Sequence, residues 1–346
     1  MTMRVAMLYD LDDIRIEERA IPATPAGGIL VRMSASGICS GDFLPWYIRR
    51  KAPLVFGHEP AGVIAEVSAA ESPCDDLGRE FRTGDRVFVH HHAPCFMCYA
   101  CARGDYVQCA TWRSSAIDPG GMAEFFAAPA TNIRDTLRVP EGMPIVDATL
   151  VEPLACVVKS LTRSRVAPGD TLYVVGLGVM GLMHVALAVN EGVHVVASDF
   201  VPERREAATA LGAGFVVDAG AADAGMQIRE HLKGHGPDAV VCGPGTAQAL
   251  QHAIASVLGG GTVVMFTPLE PGQVFEFGQA EAYFRDVTLT ASYSCGPSDT
   301  RRALTLIDQG HVTAAKLGAQ RYAFHAVADA FAHMRAGRVV KAIVTV

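Results

Sequence analysis

Four cysteines fall within fifteen positions of the stretch PCFMCYACARGDYVQC, as Cys95, Cys98, Cys101 and Cys109. Four thiolates in a C-x2-C-x2-C-x7-C array meet the full tetrahedral demand of a zinc ion and leave no position open, which is structural rather than catalytic chemistry. The same donors also suit an iron–sulfur cluster. The other five cysteines, at 39, 74, 156, 242 and 295, are dispersed. Only Cys39 has chemical company: Ser40, Gly41 and Asp42 follow it, and the pair His58-Glu59 comes nineteen residues later. The remaining four read as small apolar residues or surface thiols.

A second motif, GLGVMG, sets Gly176, Gly178 and Gly181 around Val179 and Met180, after the apolar run TLYVV and before the helical pattern VMGLMHVALAV. The first glycine permits a tight turn, the second lets the backbone approach a pyrophosphate, and the third lets helix and strand pack closely. The helix start then offers unpaired N–H groups and a positive dipole end to the phosphates. Asp199 closes the next apolar run, eighteen residues past Gly181. A carboxylate there accepts hydrogen bonds from the adenosine ribose and repels a 2′-phosphate, so NAD is expected ahead of NADP. Arg204 and Arg205, five residues further on, carry the charge that would suit NADP.

These residues need elements to hold them. Before residue 150 the chain shows short strand-like runs (ILVRM, GVIAEV, RVFVH) broken by Gly, Pro and Asp, the pattern of an irregular β domain. Between 171 and 291 six apolar runs alternate with helical stretches, which predicts an α/β fold with a doubly wound parallel sheet. A tail follows with a helical stretch, DTRRALTLIDQG, and a strand, KAIVTV. A length of 346 residues fits two domains. The run at 171–189 is long enough for a membrane helix, but its glycines and His184 fit strand, turn and helix better. With 29 basic against 36 acidic residues the net charge is −7, which argues against a nucleic-acid or anionic-membrane partner. MTMRVAMLYDLDD turns acidic before any long apolar run, so no secretory leader is expected. Clustered cysteines then indicate metal binding in a reducing, cytoplasmic setting.

In order along the chain stand GIC-x-x-D at 37–42, GHE at 57–59, GDRV at 84–87, the four cysteines, EPLA at 152–155, GLGVMG and Asp199. In that order the sequence resembles the zinc-dependent medium-chain dehydrogenases, the superfamily of alcohol, sorbitol and threonine dehydrogenases. Glu152 in EPLA is similar to the polyol and threonine branch. The resemblance implies a GroES-like catalytic domain over 1–152, a Rossmann NAD domain over 153–290, and a segment 291–346 returning to the first. It implies two zinc ions per chain, a structural one on Cys95, Cys98, Cys101 and Cys109 and a catalytic one on Cys39, His58 and a glutamate. Glu59 and Glu152 are both available for that third place. Neighbours on an extended strand face opposite ways, which favours Glu152. Gly57 and Pro60 equally allow an irregular backbone on which His58 and Glu59 share a metal. Asp42 is expected to orient His58, as a carboxylate behind a ligating imidazole does.

The chemistry implied is ionisation of a substrate hydroxyl at the zinc and hydride transfer to nicotinamide in the cleft between the domains. In many relatives a Ser or Thr two places after the cysteine starts the proton relay. This chain has Gly41 there, leaving Ser40, a water, or one of His90, His91 and His92 as substitutes; the three histidines also read as a solvated strand end. Trp46 and Tyr47 either line the pocket or anchor their loop. Arg49, Arg50 and Lys51 read as solvated surface, or as a site for a phosphorylated substrate. The expected substrates are polyols, sugar alcohols or other secondary alcohols. The alternatives are an aldehyde or ketone reductase for allylic or aromatic substrates, and a silent dinucleotide sensor. A homodimer or homotetramer is expected through TVVMFTP and VTLTASY.

Overall fold

Ile29–Gly37 is buried at nearly every position, with only Arg32 exposed, and the first unit is built around it. Glu59–Val67, Phe125–Ala128 and Ala342–Thr345 all pair antiparallel with it. Arg86–Val89, Thr136–Arg138 and Gln320–Ala323 complete a seven-stranded sheet. Register shifts interrupt the pairing with Glu59–Val67 between Leu30 and Val31 and between Met33 and Ala35. Such irregularities bend and twist a strand pair. Thr2–Asp10 lies between Asp13–Ala20 and Leu54–Val55 in a separate small sheet.

The computed structural model describes residues 1–346. The chain divides into two compact units, 1–155 with 295–346, and 156–294. The last strand therefore belongs to the first unit: Ile343 lies opposite Gly37, and Val344 opposite Ser36.

The second unit is the parallel α/β sheet that the six apolar runs predict. Its order is Phe215–Asp218, His194–Asp199, Thr171–Val175, Ala239–Cys242, Thr262–Met265, Thr288–Ala291, all parallel. Helices cover both faces of such a sheet, so its strands read as continuous apolar runs rather than alternating ones. The strand order reverses between Thr171–Val175 and Ala239–Cys242, and ligands bind such sheets in the crevice beyond the strand ends at that point.

The suspect run at 171–189 resolves into the strand Thr171–Val175 and the helix Val179–Asn190. No helix of the chain is long and apolar enough to cross a membrane. His184 is accommodated inside this apolar helix by two hydrogen bonds: Nδ1–H donates to Met180 O at 2.8 Å, and Nε2 accepts from Ser160 Oγ at 2.9 Å. Burial disfavours the imidazolium and lowers its pKa to about 4.

Candidate active site and metal centres

The four-cysteine lobe is made locally, from the short helix Tyr99–Ala102, a 3-10 turn at Tyr106–Gln108 and the helix Ala110–Ser114. The four sulfurs lie within 4.8 Å of one another. Cys98 and Cys101 are 3.5 Å apart, and Cys95 and Cys101 are 3.9 Å apart. Cys109 accepts from Cys95 N at 3.4 Å. Burial resists ionisation of Cys109, but the N–H groups of Cys95 and Trp112 outweigh it and bring its pKa down to about 6. Burial and the neighbouring thiols push Cys101 up to about 12. Backbone donors are thus already aimed at part of a tetrathiolate array, and the donor set fits one tetrahedral metal.

The second centre is assembled from distant segments. Cys39 follows the Ile29–Gly37 strand and caps the 3-10 turn Ser40–Phe43, its Sγ accepting from Gly41 N at 3.3 Å. Gly57, at φ +88°, and a bend at His58 precede the strand Glu59–Val67. The backbone is therefore irregular where His58 gives way to Glu59. One donor atom each of Cys39, His58 and Glu59 then lie within 4.8 Å of one another. Asp42 is buried behind, one oxygen 4.0 Å from His58 Nδ1 and the other without a partner.

Glu59 is fully buried. Its Oε2 pairs with the buried Lys341 Nζ, and its Oε1 has no partner. Lys341 also donates to Ile38 O at 2.8 Å. Gly37 lies opposite Glu59 in the ladder, where an added Cβ would come within 1.9 Å of Oε2. Only glycine leaves room there for the carboxylate.

Burial raises the pKa of both Asp42 and Glu59, while His58 and Lys341 pull the other way. Burial opposes a charge on His58, yet Cys39 and Asp42 outweigh it and raise its pKa well above the ordinary value. Buried negative charge around His58 thus favours a positive charge at this centre. A dipositive ion would supply it at this donor set, so the residues present fit zinc.

Glu152 is not in that group. It stands in the first turn of the helix Val151–Ser164 and converges instead with His90 and Cys295. Ser40 is exposed. At Gly41 an added Cβ would meet only Cys39 Sγ, at 3.4 Å, so packing does not demand a glycine. The three histidines separate clearly. His90 is buried on Asp135 at 2.6 Å, and His92 holds Ser115 O at 2.6 Å beside Trp112. His91 lies with its ring centre 6.3 Å from that of His58, its Nδ1 buried without a partner. Trp46 and Tyr47 are half-buried and meet edge to face, and Arg49 forms an exposed ion pair with Asp10 at 3.5 Å.

In the second unit, Gly176 has φ +86° and Gly178 caps the helix that begins at Val179 and Met180. A Cβ on Gly181 would stand 2.0 Å from Gly176 O, whereas one on Gly178 would meet nothing within 4 Å. Close packing thus accounts for Gly181 and an open approach for Gly178. Asp199 accepts from Leu177 N at 2.7 Å and Val201 N at 2.8 Å, tying the strand end to the glycine turn. Arg204 stands 3.7 Å from its Oδ2. Arg205 is committed elsewhere, to Asp199 O, Phe200 O and Asp218.

Sequence reading did not find Lys341, Asp135 or the chemical setting of Cys295. No spacing rule connects Glu59 with Lys341, or His90 with Cys295, across more than two hundred residues.

Known proteins share both units. Residues 25–141 match the alcohol dehydrogenase GroES-like domain, and residues 179–309 match the zinc-binding dehydrogenase domain. L-galactonate-5-dehydrogenase of Escherichia coli (strain K12) is 29% identical over 335 residues, 95% of this chain and 94% of its own. Sorbitol dehydrogenase of Bacillus subtilis (strain 168) is 29% identical over 273 residues, 76% of this chain and 74% of its own. A structure described as a zinc-binding dehydrogenase from Sinorhizobium meliloti 1021, bound to NADP, superposes with a TM-score of 0.88 at 26% identity over 100% of both chains.

Proposed function

The chain belongs to the zinc-dependent medium-chain dehydrogenase family and is an alcohol oxidoreductase, and on that premise we propose that it transfers hydride between NAD(H) and a polyol or sugar alcohol. The observation that carries this reading is the convergence of Cys39, His58 and Glu59 beside the buried Asp42. Support for the substrate class comes from the relatives named for L-galactonate and sorbitol.

Cys39, His58 and Glu59 would hold a catalytic zinc, and Cys95, Cys98, Cys101 and Cys109 a structural one. A zinc ion at the first centre supplies Lewis acidity towards a substrate oxygen, and the nicotinamide supplies the hydride acceptor. The chain's own groups do the rest. Asp42 keeps His58 in place. Lys341 holds one oxygen of Glu59 and leaves the other to face the centre. Glu152 stands outside this group of three, and its charge acts on Asp42, His58 and Glu59.

His91 takes the role that Gly41 leaves empty. Burial and the surrounding positive groups keep its pKa well below the usual histidine value. It is therefore neutral near pH 7, and it would pass the proton of a substrate hydroxyl onward rather than hold it. Ser40, exposed, is not needed for this step.

Asp199 supports NAD over NADP, although Arg204 lies close enough to soften that preference. Thr288–Ala291 forms one edge of the parallel sheet, near the exposed Tyr283, Phe284 and Tyr293. We place a two-fold contact there, giving a homodimer or homotetramer. Nine free thiols suit a reducing, cytoplasmic compartment.

The test is reduction of NAD and NADP, in parallel, by zinc-loaded protein across polyols, sugar acids, their phosphates and simple alcohols. Turnover of a polyol or sugar acid with NAD is expected. Turnover confined to simple or aromatic alcohols would overturn the substrate class, and equal use of NADP would overturn the role given to Asp199.

A further inference from the structure

Arg49, Arg50 and Lys51 follow the short helix Pro45–Ile48. Arg49 is committed to Asp10, its Nε 3.5 Å from Oδ1. Lys51 folds back on the helix instead. Its N–H donates to Ile48 O at 2.8 Å, and its Nζ stands 4.0 Å from the centre of the Tyr47 ring. Nζ also donates to the Tyr47 hydroxyl. That partner is neutral, so the ammonium charge is not cancelled. Tyr47 is half-buried, and Lys51 is open to solvent.

The charge is felt at three residues of the catalytic centre. Burial raises the pKa of Asp42 and lowers those of His91 and His92; Lys51 opposes burial at Asp42 and adds to it at the two histidines. These residues surround His58. Asp42 Oδ1 is 4.0 Å from His58 Nδ1, the His91 ring centre is 6.3 Å from that of His58, and the His92 ring centre is 4.4 Å from that of His91. Coulomb interaction fades with distance. One cation that acts on Asp42, His91 and His92 together therefore lies beside the centre that His58 serves.

We propose that Lys51 is a specificity residue that binds the carboxylate of an anionic polyol, which makes a sugar acid of the aldonate type the substrate class of this centre. The inference rests on the hydride-transfer reading above and narrows it. One hydroxyl of the substrate is placed at the Cys39–His58 centre, and the carboxylate further along the same carbon chain meets the ammonium that Tyr47 holds. A neutral polyol gains nothing from that charge. Lysine offers one compact charge, which a single carboxylate cancels. A phosphate carries nearly twice as much and is met by guanidinium forks or several donors together. Arg49, turned to Asp10, leaves Lys51 without such help.

The test assays full-length, zinc-loaded protein with NAD on hexonates, hexitols of matching configuration and hexitol phosphates, in wild type, Lys51→Met and Lys51→Arg. The best hexonate should exceed its hexitol by about tenfold in kcat/KM, the order of one charge-assisted contact. Lys51→Met should erase that lead, chiefly through a higher KM, and Lys51→Arg should keep part of it. Added salt should raise the wild-type KM for the hexonate more than that of Lys51→Met. A hexitol that matches or beats its hexonate, or a hexonate lead that survives in Lys51→Met, would overturn the inference and leave the dehydrogenase reading standing. So would equal losses on hexonate and hexitol, because Lys51 would then serve the loop's structure alone. A hexitol phosphate that leads in wild type and falls in Lys51→Met would overturn the carboxylate in favour of a phosphate. Silence on every substrate would count against the dehydrogenase reading, and calorimetric binding of the hexonates to the zinc-loaded protein then decides the role of Lys51. Binding weakened about tenfold by Lys51→Met upholds it, and no binding, or binding that Lys51→Met leaves as it was, overturns it.

Discussion

Two sulfur-bearing centres of the first unit, at Cys39 and at 95–109, are built in opposite ways. The lobe at 95–109 is a single stretch whose turns and backbone N–H groups bring four thiols together. The centre at Cys39 draws its donors from the end of one strand and the start of another, and it relies on Lys341 to balance Glu59. A local array needs little beyond its own turns and a metal. A dispersed one needs strand register, a glycine at 37 and a compensating charge from the far end of the chain.

The sharpest way to break this comparison is to remove one sulfur from each. Cys39→Ala should lower turnover by more than about 10³-fold while the chain stays folded, as expected when a Lewis-acid site is lost. Cys101→Ser should instead lower the melting temperature and leave most of the turnover per folded molecule. Comparable activity losses for the two, measured on folded fractions, would erase the distinction.

Next in size is Lys341→Met. It leaves the Glu59 carboxylate buried without its partner, and breaking such a pair costs about 3–5 kcal/mol in denaturant unfolding. The Lys341→Met/Glu59→Gln double variant should recover much of that stability. Failure to recover would place the role of Lys341 in packing.

His184 extends the comparison to the second unit, where a polar side chain is buried without charge. Its folded pKa of about 4 lies below the ordinary 6.5. The unfolded chain therefore binds the extra proton first as pH falls. The stability tied to neutral His184 is complete above pH 6.5 and is lost between 6.5 and about 4, amounting to about 3 kcal/mol. Unfolding free energy measured across that window should decline less steeply in His184→Leu. An unchanged slope would mean that other groups carry the acid sensitivity.

The smallest effect expected is on cofactor choice. Asp199→Asn removes the charge that repels a 2′-phosphate and should narrow the NAD-to-NADP ratio of kcat/KM by about tenfold. A ratio that does not move would mean that Asp199 does not set the choice of cofactor.

The features readable along the chain are those whose physics is local. Gly176, Gly178 and Gly181 act through backbone conformation and close approach, which the residue type alone conveys. The four clustered cysteines belong to the same class, since their spacing is their geometry. Six apolar runs separated by helical patterns fix a parallel α/β sheet because burial on both faces leaves no alternation.

Tertiary structure decided what depends on several segments at once. A positive φ at Gly57 and the bend at His58 settle which way Glu59 faces, where the sequence allowed either an extended or an irregular backbone. Folding groups Glu152 with His90 and Cys295, and sets His91 rather than its neighbours beside His58. The physical reason is common to all of these. A buried charge or ligand is defined by what lies within a few ångströms of it, and in this chain those neighbours are up to about three hundred positions away, brought close by strand register rather than by sequence spacing.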